Sequence, residues 1–287
     1  MKLKYFQKGF NFSQDGPGNR LVYHLQGCNL ICPWCANPEG MPIEGVLMTS
    51  DKTDGSFCPN GAVESGMIDR KKCEGCNEIC TSIPASGIKK SFVEEDVDSI
   101  VSYCKSCSMM FFDGGGVTLT GGEPTLQFTA LKELLQKLKS ASIHTALECN
   151  ATHDRLPELF PLTDFLITDC KHYNCETHKK VCGAGNENII KNISLAAKQR
   201  NQLLIRIPLI NGFNASEEDA HEFAKLFREI GTDSCRYEFL RYHEFGKDKY
   251  KRCSMQYTMT QDAKVLPETV KDFERIFKEN SLITIHT

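Results

Sequence analysis

Strand-like and helix-like segments alternate about six times along this chain, and no other feature constrains its fold as tightly. Apolar, β-branched runs at 21–27, 117–121, 144–149, 164–170, 203–210 and 235–243 read as strands. Amphipathic or helix-forming stretches at 94–106, 126–141, 154–162, 188–200, 217–231 and 267–280 read as helices, and 282–286 as a closing strand. Such alternation builds right-handed βαβ units on a parallel sheet. Periodicity does not decide between a barrel and an open sheet. In either case reactive groups collect where strands end. Six candidates fall in that register: Cys28 past the first strand, Gly121-Gly122-Glu123 after the second, Glu148 ending the third, Asp169 and Lys171 ending the fourth, Arg206 in the fifth and His243 ending the sixth.

The remaining segment, 36–92, is rich in Gly, Pro, Cys and charge and carries little periodicity, as a loop-built metal module would. Fifteen cysteines in 287 residues are the second constraint. The first residues lack the apolar core of a secretory leader, and no run reaches the ~18 apolar residues of a spanning helix. A cytoplasmic location is therefore expected, where thiols stay reduced and such a density points to metal or redox chemistry. A free thiol titrates near pH ~8.5, so a metal must drive the deprotonation that ligation needs. A net charge of −3 gives no footprint for nucleic acid or an anionic membrane.

Cys28, Cys32 and Cys35 lie on one short loop, GCNLICPWC. A structural zinc site is completed by four protein ligands. Three thiolates suit instead a cubane iron–sulfur cluster whose fourth iron is open to something else.

These residues and their companions carry a resemblance. Cys28-x3-Cys32-x2-Cys35, with Trp34 before the last cysteine, resembles the cluster loop of the radical S-adenosylmethionine (radical SAM) superfamily, and Gly121-Gly122-Glu123-Pro124 resembles its GGEP motif. Asp15-Gly16-Pro17-Gly18-Asn19-Arg20, the run from Gly114 to Pro124, Asp169-Cys170-Lys171-His172, Arg206-Ile207-Pro208, Gly212-Phe213-Asn214 and Tyr242-His243 with Gly246 are similar, in order, to motifs of glycyl-radical-enzyme activating enzymes. The resemblance implies an α/β fold: a partial (β/α)6 TIM-like barrel over 1–35 and 93–287, with a ferredoxin-like insert over 36–92. It implies an oxidoreductase. One electron cleaves S-adenosylmethionine, held on a [4Fe-4S] cluster, to methionine and a 5′-deoxyadenosyl radical, which abstracts a Cα hydrogen from a glycine of a partner enzyme. A ferredoxin or flavodoxin would supply the electron.

By the same resemblance Cys28, Cys32 and Cys35 hold the cluster. The strand edge at Gly121 and Gly122 receives the cofactor's amino group, because without a Cβ the backbone can approach closely. Glu123 adds a carboxylate nearby. Lys171 offers a point charge to the methionine carboxylate. Asp169 and Glu148 flank a monovalent cation. Arg206, costly if left unpaired in an apolar strand, contacts cofactor or acid. His243 faces the nucleoside, and Trp34 offers a ring face to the adenine. The chain departs from the pattern at Ala36, where many relatives carry histidine, and at Cys170, which stands for leucine. Each offers the cofactor only its backbone, and the Cys170 thiol, pointing away from Asp169 and Lys171, fills the core.

In the insert, Cys58-Pro59 resembles the end of one bacterial ferredoxin motif, and Cys73, Cys76 and Cys80 resemble the start of another. In two-cluster ferredoxins the fourth cysteine of a run crosses to the other cluster. Cys58, Cys73, Cys76 and Cys80 would then hold one auxiliary [4Fe-4S] cluster, with zinc as the alternative. Cys104 and Cys107 have no evident partners. Two rival functions stand beside activation: the same radical chemistry on another peptide residue or a small molecule, and a non-catalytic electron carrier or zinc scaffold. Which glycyl-radical enzyme is the partner cannot be read from these residues.

Overall fold

The computed structural model describes residues 1–10, 15–73, 76, 78–199 and 202–286. Its centre is one nine-stranded sheet. In chain order the strands are β1 (Lys2–Gly9), β2 (Arg20–Leu25), β3 (Val93–Asp96), β4 (Gly116–Gly121), β5 (Thr145–Cys149), β6 (Phe165–Asp169), β7 (Gln202–Leu209), β8 (Arg236–Arg241) and β9 (Ile283–Thr284). Their spatial order is β9-β8-β7-β6-β5-β4-β2-β1-β3. Strands β2 and β4 to β9 are parallel, whereas β1 runs antiparallel to both β2 and β3. The two edge strands do not pair, so the parallel strands form an α/β half-barrel, not a closed ring.

The helices are α1 (Val97–Ser106), α2 (Phe128–Ser140), α3 (Cys175–Cys182), α4 (Glu187–Lys198), α5 (Glu217–Glu229), α6 (Lys247–Arg252) and α7 (Pro267–Glu279). Four begin as their sequences dictate. Ser216 and Asp219 cap α5 reciprocally, Asn174 caps α3, and Pro sits at the start of α7 and of the turn before α2.

Alternation along the strands divides the molecule into two layers. Val117, Leu119, Leu147, Leu166, Ile205 and Ile207 point out and join the helices in the main core. Ala146, Phe165, Ile167 and Leu204 point in and close one end of the barrel with an apolar plug. One step further along the same strands, the inward positions turn polar: Glu148, Asp169, Arg206 and Glu238. The register sets Asp169 beside Arg206 and Arg206 beside Glu238.

Several elements differ from the sequence expectation. β1 has no counterpart in the sequence expectation. Its alternation is blurred by Lys2, Lys4, Gln7 and Lys8, and it is held by pairing on both sides. The helix expected from 94 starts at Val97, because 93–96 is recruited as an edge strand against β1. α3 and α6 were absent from the expectation; each is short and strongly charged. The sixth strand ends at Arg241, so His243 lies two residues beyond it, and Lys171 likewise follows a strand that ends at Asp169. Residue 200, expected to end a helix, lies outside the described residues. No helix among them is long and apolar enough to cross a membrane.

Candidate functional site

The loop after β2 is pinned at its root by backbone bonds, Gly27 N to the Gly40 carbonyl and Cys28 N to the Met41 carbonyl, both 2.7 Å. The Cys35 amide closes a turn on the Cys32 carbonyl at 3.1 Å. Two amides donate to sulfur: Leu30 N to Cys28 Sγ and Asn37 N to Cys35 Sγ, each at 3.4 Å. Such bonds favour the thiolate. Against them, burial pushes the Cys28 thiol up to about 12 and Cys35 to about 11. Hydrogen bonding to Cys182, then burial, raises Cys32. The three sulfurs are thus soft donors that a metal must deprotonate on binding. This donor set fits an iron–sulfur cluster with one iron left open.

The end of β4 is stitched to that loop. Gly122 N donates to the Leu25 carbonyl at 2.9 Å and Glu123 N to the Gly27 carbonyl at 2.6 Å. Gly121 has φ of +120°, and a Cβ there would strike the backbone of His24 and Leu25. Gly122 is as tight against the Gly27 carbonyl. Both glycines are therefore demanded by close approach of two strand ends. Glu123 is fully buried. One carboxylate oxygen accepts from Thr125 N (3.0 Å) and the Thr125 hydroxyl, the other from Asn150 N (2.6 Å). Burial raises its carboxyl above the ordinary value despite these bonds. It holds the β4 and β5 loops together.

Lys171 supplies the cation. Its Nζ lies 2.6 Å from Asp169 Oδ2, with the lysine side chain 10% and the aspartate 27% exposed. Burial alone would pull the ammonium down; Asp169, then Cys32, hold it above its usual value. The lysine carbonyl is fixed from below by Asn214, which is fully buried. Asn214 Nδ2 donates to the carbonyls of Lys171 and Pro208, and its Oδ1 accepts from Ile210 N, all at 2.8 Å. Cys170 lies in the main core, as expected.

Deeper in the barrel Arg206 bridges Glu148 Oε1 at 2.6 Å and Glu238 Oε2 at 2.8 Å. Thr120 donates to the other oxygen of Glu148 at 2.8 Å. Burial and the neighbouring Glu148 charge push Asp15 up to about 7. Burial opposes the charge on Glu148, but Arg206, Thr120 and Asp15 together bring it below its usual range. Arg206 and Glu148 are thus partners of each other. Arg20, from the same turn as Asp15, is buried and satisfied by Thr118 Oγ1 (2.7 Å) and the carbonyls of Val117 (2.8 Å) and Pro17 (3.0 Å).

Trp34 leans on Phe213, ring centroids 4.9 Å apart. Ala36 and the Cys35 carbonyl abut Gly246, where a Cβ would meet that carbonyl at 2.7 Å, which accounts for the glycine after Tyr242-His243. His243 is exposed, stacked on Phe245 at 4.2 Å, and lines a cavity of about 840 Å³ beside β8.

In the insert, Cys58, Cys73, Cys76 and Cys80 line one cavity of about 220 Å³ with Leu47, Val63, Ile68 and Ile88. Ala62 N donates to Cys58 Sγ at 3.3 Å. Cys104 and Cys107 are buried in the main core at the end of α1, distant in the fold from this cavity. Among the described residues no three Cys, His, Asp or Glu converge tightly enough to hold a single metal ion.

Sequence reasoning gives no functional role to Asn150 or Cys182 and carries Asp15 and Asn214 only within motifs. Asn214 is committed to backbone groups, whereas Asn150 Nδ2 donates to Asn29 Oδ1 at 2.9 Å and its Oδ1 accepts from Thr152 N and the Thr152 hydroxyl; neither role has a sequence signature. Asp15 was visible within DGPG but had been read only as part of a turn. Cys182 packs on Leu30 and Cys32, and its carbonyl accepts from Ile31 N at 2.9 Å; it sat on a helix that the charge pattern hid.

Residues 22–224 match the Radical SAM superfamily model. The chain is 31% identical to the 4-hydroxyphenylacetate decarboxylase activating enzyme of Clostridioides difficile, over 93% of this chain and 90% of that protein. It is 32% identical to the isethionate sulfite-lyase activating enzyme of Nitratidesulfovibrio vulgaris, over 82% of each. Among solved structures, Streptococcus suis SuiB bound to its precursor peptide SuiA is similar in fold, with TM-score 0.57 and 13% identity over 92% of this chain and 48% of that one.

Proposed function

The chain belongs to the radical SAM superfamily, among its activating enzymes of glycyl-radical enzymes, and from that premise we propose that it takes a Cα hydrogen from a glycine of a partner enzyme through the side chains around Cys28, Gly121 and Lys171. Membership implies a [4Fe-4S] cluster and S-adenosylmethionine. When bound, they supply one-electron cleavage of the cofactor's S–C5′ bond, giving methionine and a 5′-deoxyadenosyl radical.

The observation that carries the reading is the meeting of three strand ends. The thiol loop after β2, the Cβ-free edge of β4 and the buried ammonium after β6 occupy one end of the half-barrel. Cys28, Cys32 and Cys35 would hold the cluster. The backbone at Gly121 and Gly122 would take the cofactor's amino group, and Lys171 its carboxylate. Asp169 keeps Lys171 charged and aimed. Asn214 fixes the lysine backbone, so the cation does not swing away when the anion leaves. Trp34 and His243 would flank the nucleoside. Asp169 and Glu148 would hold the monovalent cation, if Arg206 yields one oxygen of Glu148. The apolar plug of Ala146, Phe165, Ile167 and Leu204 keeps water out from the far end.

The insert at 36–92 is read as ferredoxin-like, with Cys58, Cys73, Cys76 and Cys80 around one auxiliary [4Fe-4S] cluster. Its cavity, roughly seven times the ~30 Å³ of a liquid water, suits a cluster. The electron donor would be a ferredoxin or flavodoxin, and the setting cytoplasmic. Anaerobic incubation with reductant, S-adenosylmethionine and a panel of glycyl-radical enzymes tests the proposal. A glycyl EPR doublet on the partner is expected; formation of 5′-deoxyadenosine without that doublet overturns it.

A further inference from the structure

Helix α6 and the residues that flank it join the thiol loop to the insert. At its start Gly246 backs onto the Cys35 carbonyl and Ala36. Lys249 reaches the same loop, with Nζ 2.8 Å from Glu39 Oε1 and 2.6 Å from Asn37 Oδ1. At its end the strip joins the insert. Thr49 N donates to the Arg252 carbonyl at 2.9 Å, and Ile68 N to Ser254 Oγ at 2.7 Å. The Arg70 guanidinium donates to the Cys253 carbonyl, and Cys253 itself packs on Val46 and Met48. Arg70 also lines the cavity of the four insert cysteines.

The inward face of α6 is thus committed to structure through Lys249, Tyr250 and Cys253. Its outward face carries Lys247, Lys251 and Arg252, all exposed. Among the described residues none of these three has an ion-pair partner, whereas Lys2, Lys132, Lys137, Lys139, Arg155 and Arg275 on the barrel surface do. Asp248, on the same helix, is the opposing charge, and Asp51 faces it across a groove of about 540 Å³. The patch is net positive on a chain whose net charge is −3. It carries no apolar side chain to enter a membrane and is too small to track a nucleic-acid backbone.

We infer that the outward face of α6 is the docking surface for a small acidic protein that carries single electrons. The inference rests on the proposed radical chemistry, which needs one electron per turnover. A carrier seated here lies over the strip that joins the two cysteine groups, so its electron can enter either. The carrier is oxidised by one electron, the cluster it meets is reduced by one, and no atom or proton crosses the interface. Charge complementarity of this kind raises association rates by about 10- to 1,000-fold, and salt erodes the gain.

The test uses the anaerobic holoenzyme and the variant Lys247→Glu/Lys251→Glu/Arg252→Glu, with Lys225→Glu/Lys271→Glu/Lys278→Glu, of equal charge change on α5 and α7, as control. Cluster reduction is followed by stopped flow, with an acidic flavodoxin hydroquinone as one reductant and photoreduced 5-deazariboflavin, a small neutral one, as the other. The α6 variant should lose at least ~10-fold in the second-order rate with flavodoxin at low salt, with a flattened salt dependence, and keep its rate with deazaflavin. The control variant should retain most of its flavodoxin rate. Equal flavodoxin rates in the two triple variants, or equal loss of both reductants' rates in the α6 variant, would overturn the docking site. Failure of S-adenosylmethionine cleavage in the wild type under deazaflavin would instead remove the proposed function itself.

Discussion

Replacing Lys171 with methionine separates the two roles that the site gives this side chain. The ammonium sits 2.6 Å from Asp169 in a mostly buried pair. At an effective dielectric near 20 their direct attraction is about 6 kcal/mol, largely offset by the desolvation of both groups. Removing one member strands the other, which costs ~3–5 kcal/mol when the survivor is fully buried. Asp169 keeps 27% of its side-chain exposure, so the low end, ~3 kcal/mol, is expected. Loss of the charged hydrogen bond to the cofactor carboxylate should add its own effect, ~1.5–3 kcal/mol in binding, or roughly 10- to 100-fold in affinity. The folded ammonium titrates above its ordinary value. Its stabilising contribution is therefore fully present below the unfolded pKa and fades only as pH rises through the folded one, so neither loss should vary with pH near neutrality. The double variant Asp169→Asn/Lys171→Met removes the stranded carboxylate. It should recover most of the stability and none of the affinity. Equilibrium dialysis of S-adenosylmethionine against anaerobic reconstituted protein, beside thermal unfolding of the same samples, reads both quantities. Lys171→Met protein that binds the cofactor as tightly as wild type, or a double variant whose affinity returns, would refute the assignment.

Gly121→Ala should lower stability by more than ~3 kcal/mol, since it combines a φ of +120° with a backbone clash against His24 and Leu25; chemical unfolding measures it, and a variant within ~1 kcal/mol of wild type would show that the strand end yields. Cys58→Ala should remove one cluster's share of the iron while the Cys28 loop keeps its own, as read by iron analysis and Mössbauer spectra; unchanged iron content would discard Cys58 as a ligand. The raised carboxyl of Asp15 holds a proton that the unfolded chain releases, so its contribution to stability falls as pH climbs through about 4 to 7. Asp15→Asn should flatten that fall in thermal unfolding compared between about pH 5 and pH 8, and an unaltered slope would place the proton elsewhere.

Much of the half-barrel could be read from periodicity, because its central strands are buried on both faces and its helices are amphipathic. The edges could not. β1 and β3 are polar on one side and owe their extended form to each other, a pairing invisible to local pattern. α3 and α6 are short and charged, and their few buried side chains are held by tertiary contacts that no local pattern shows: Cys182 packs on Leu30 and Cys32, His178 bonds the Ala184 carbonyl, and Tyr250 packs on the Tyr257 ring. At the site, the glycine run marks the end of β4, where close backbone approach demands it, and Cys28 follows β2 as expected. Side-chain partnerships were harder. Arg206 is expected to need an anion, and it has two, Glu148 and Glu238; the second lies beside it on β8, a cross-strand register that local sequence does not show. Glu123 is expected to add a carboxylate near the cofactor, and its oxygens accept from Thr125 and Asn150. A buried acid and a functional acid look alike until their hydrogen-bond donors are located.

The account rests on hydrogen transfer from a glycine on another protein. The direct measurement is to supply the partner with α-deuterated glycine and analyse the 5′-deoxyadenosine by mass spectrometry after a single activation. One deuterium in the nucleoside for each glycyl radical formed is the predicted result. Undeuterated 5′-deoxyadenosine accompanying a full glycyl signal, or deuterium absent from both products, would contradict it.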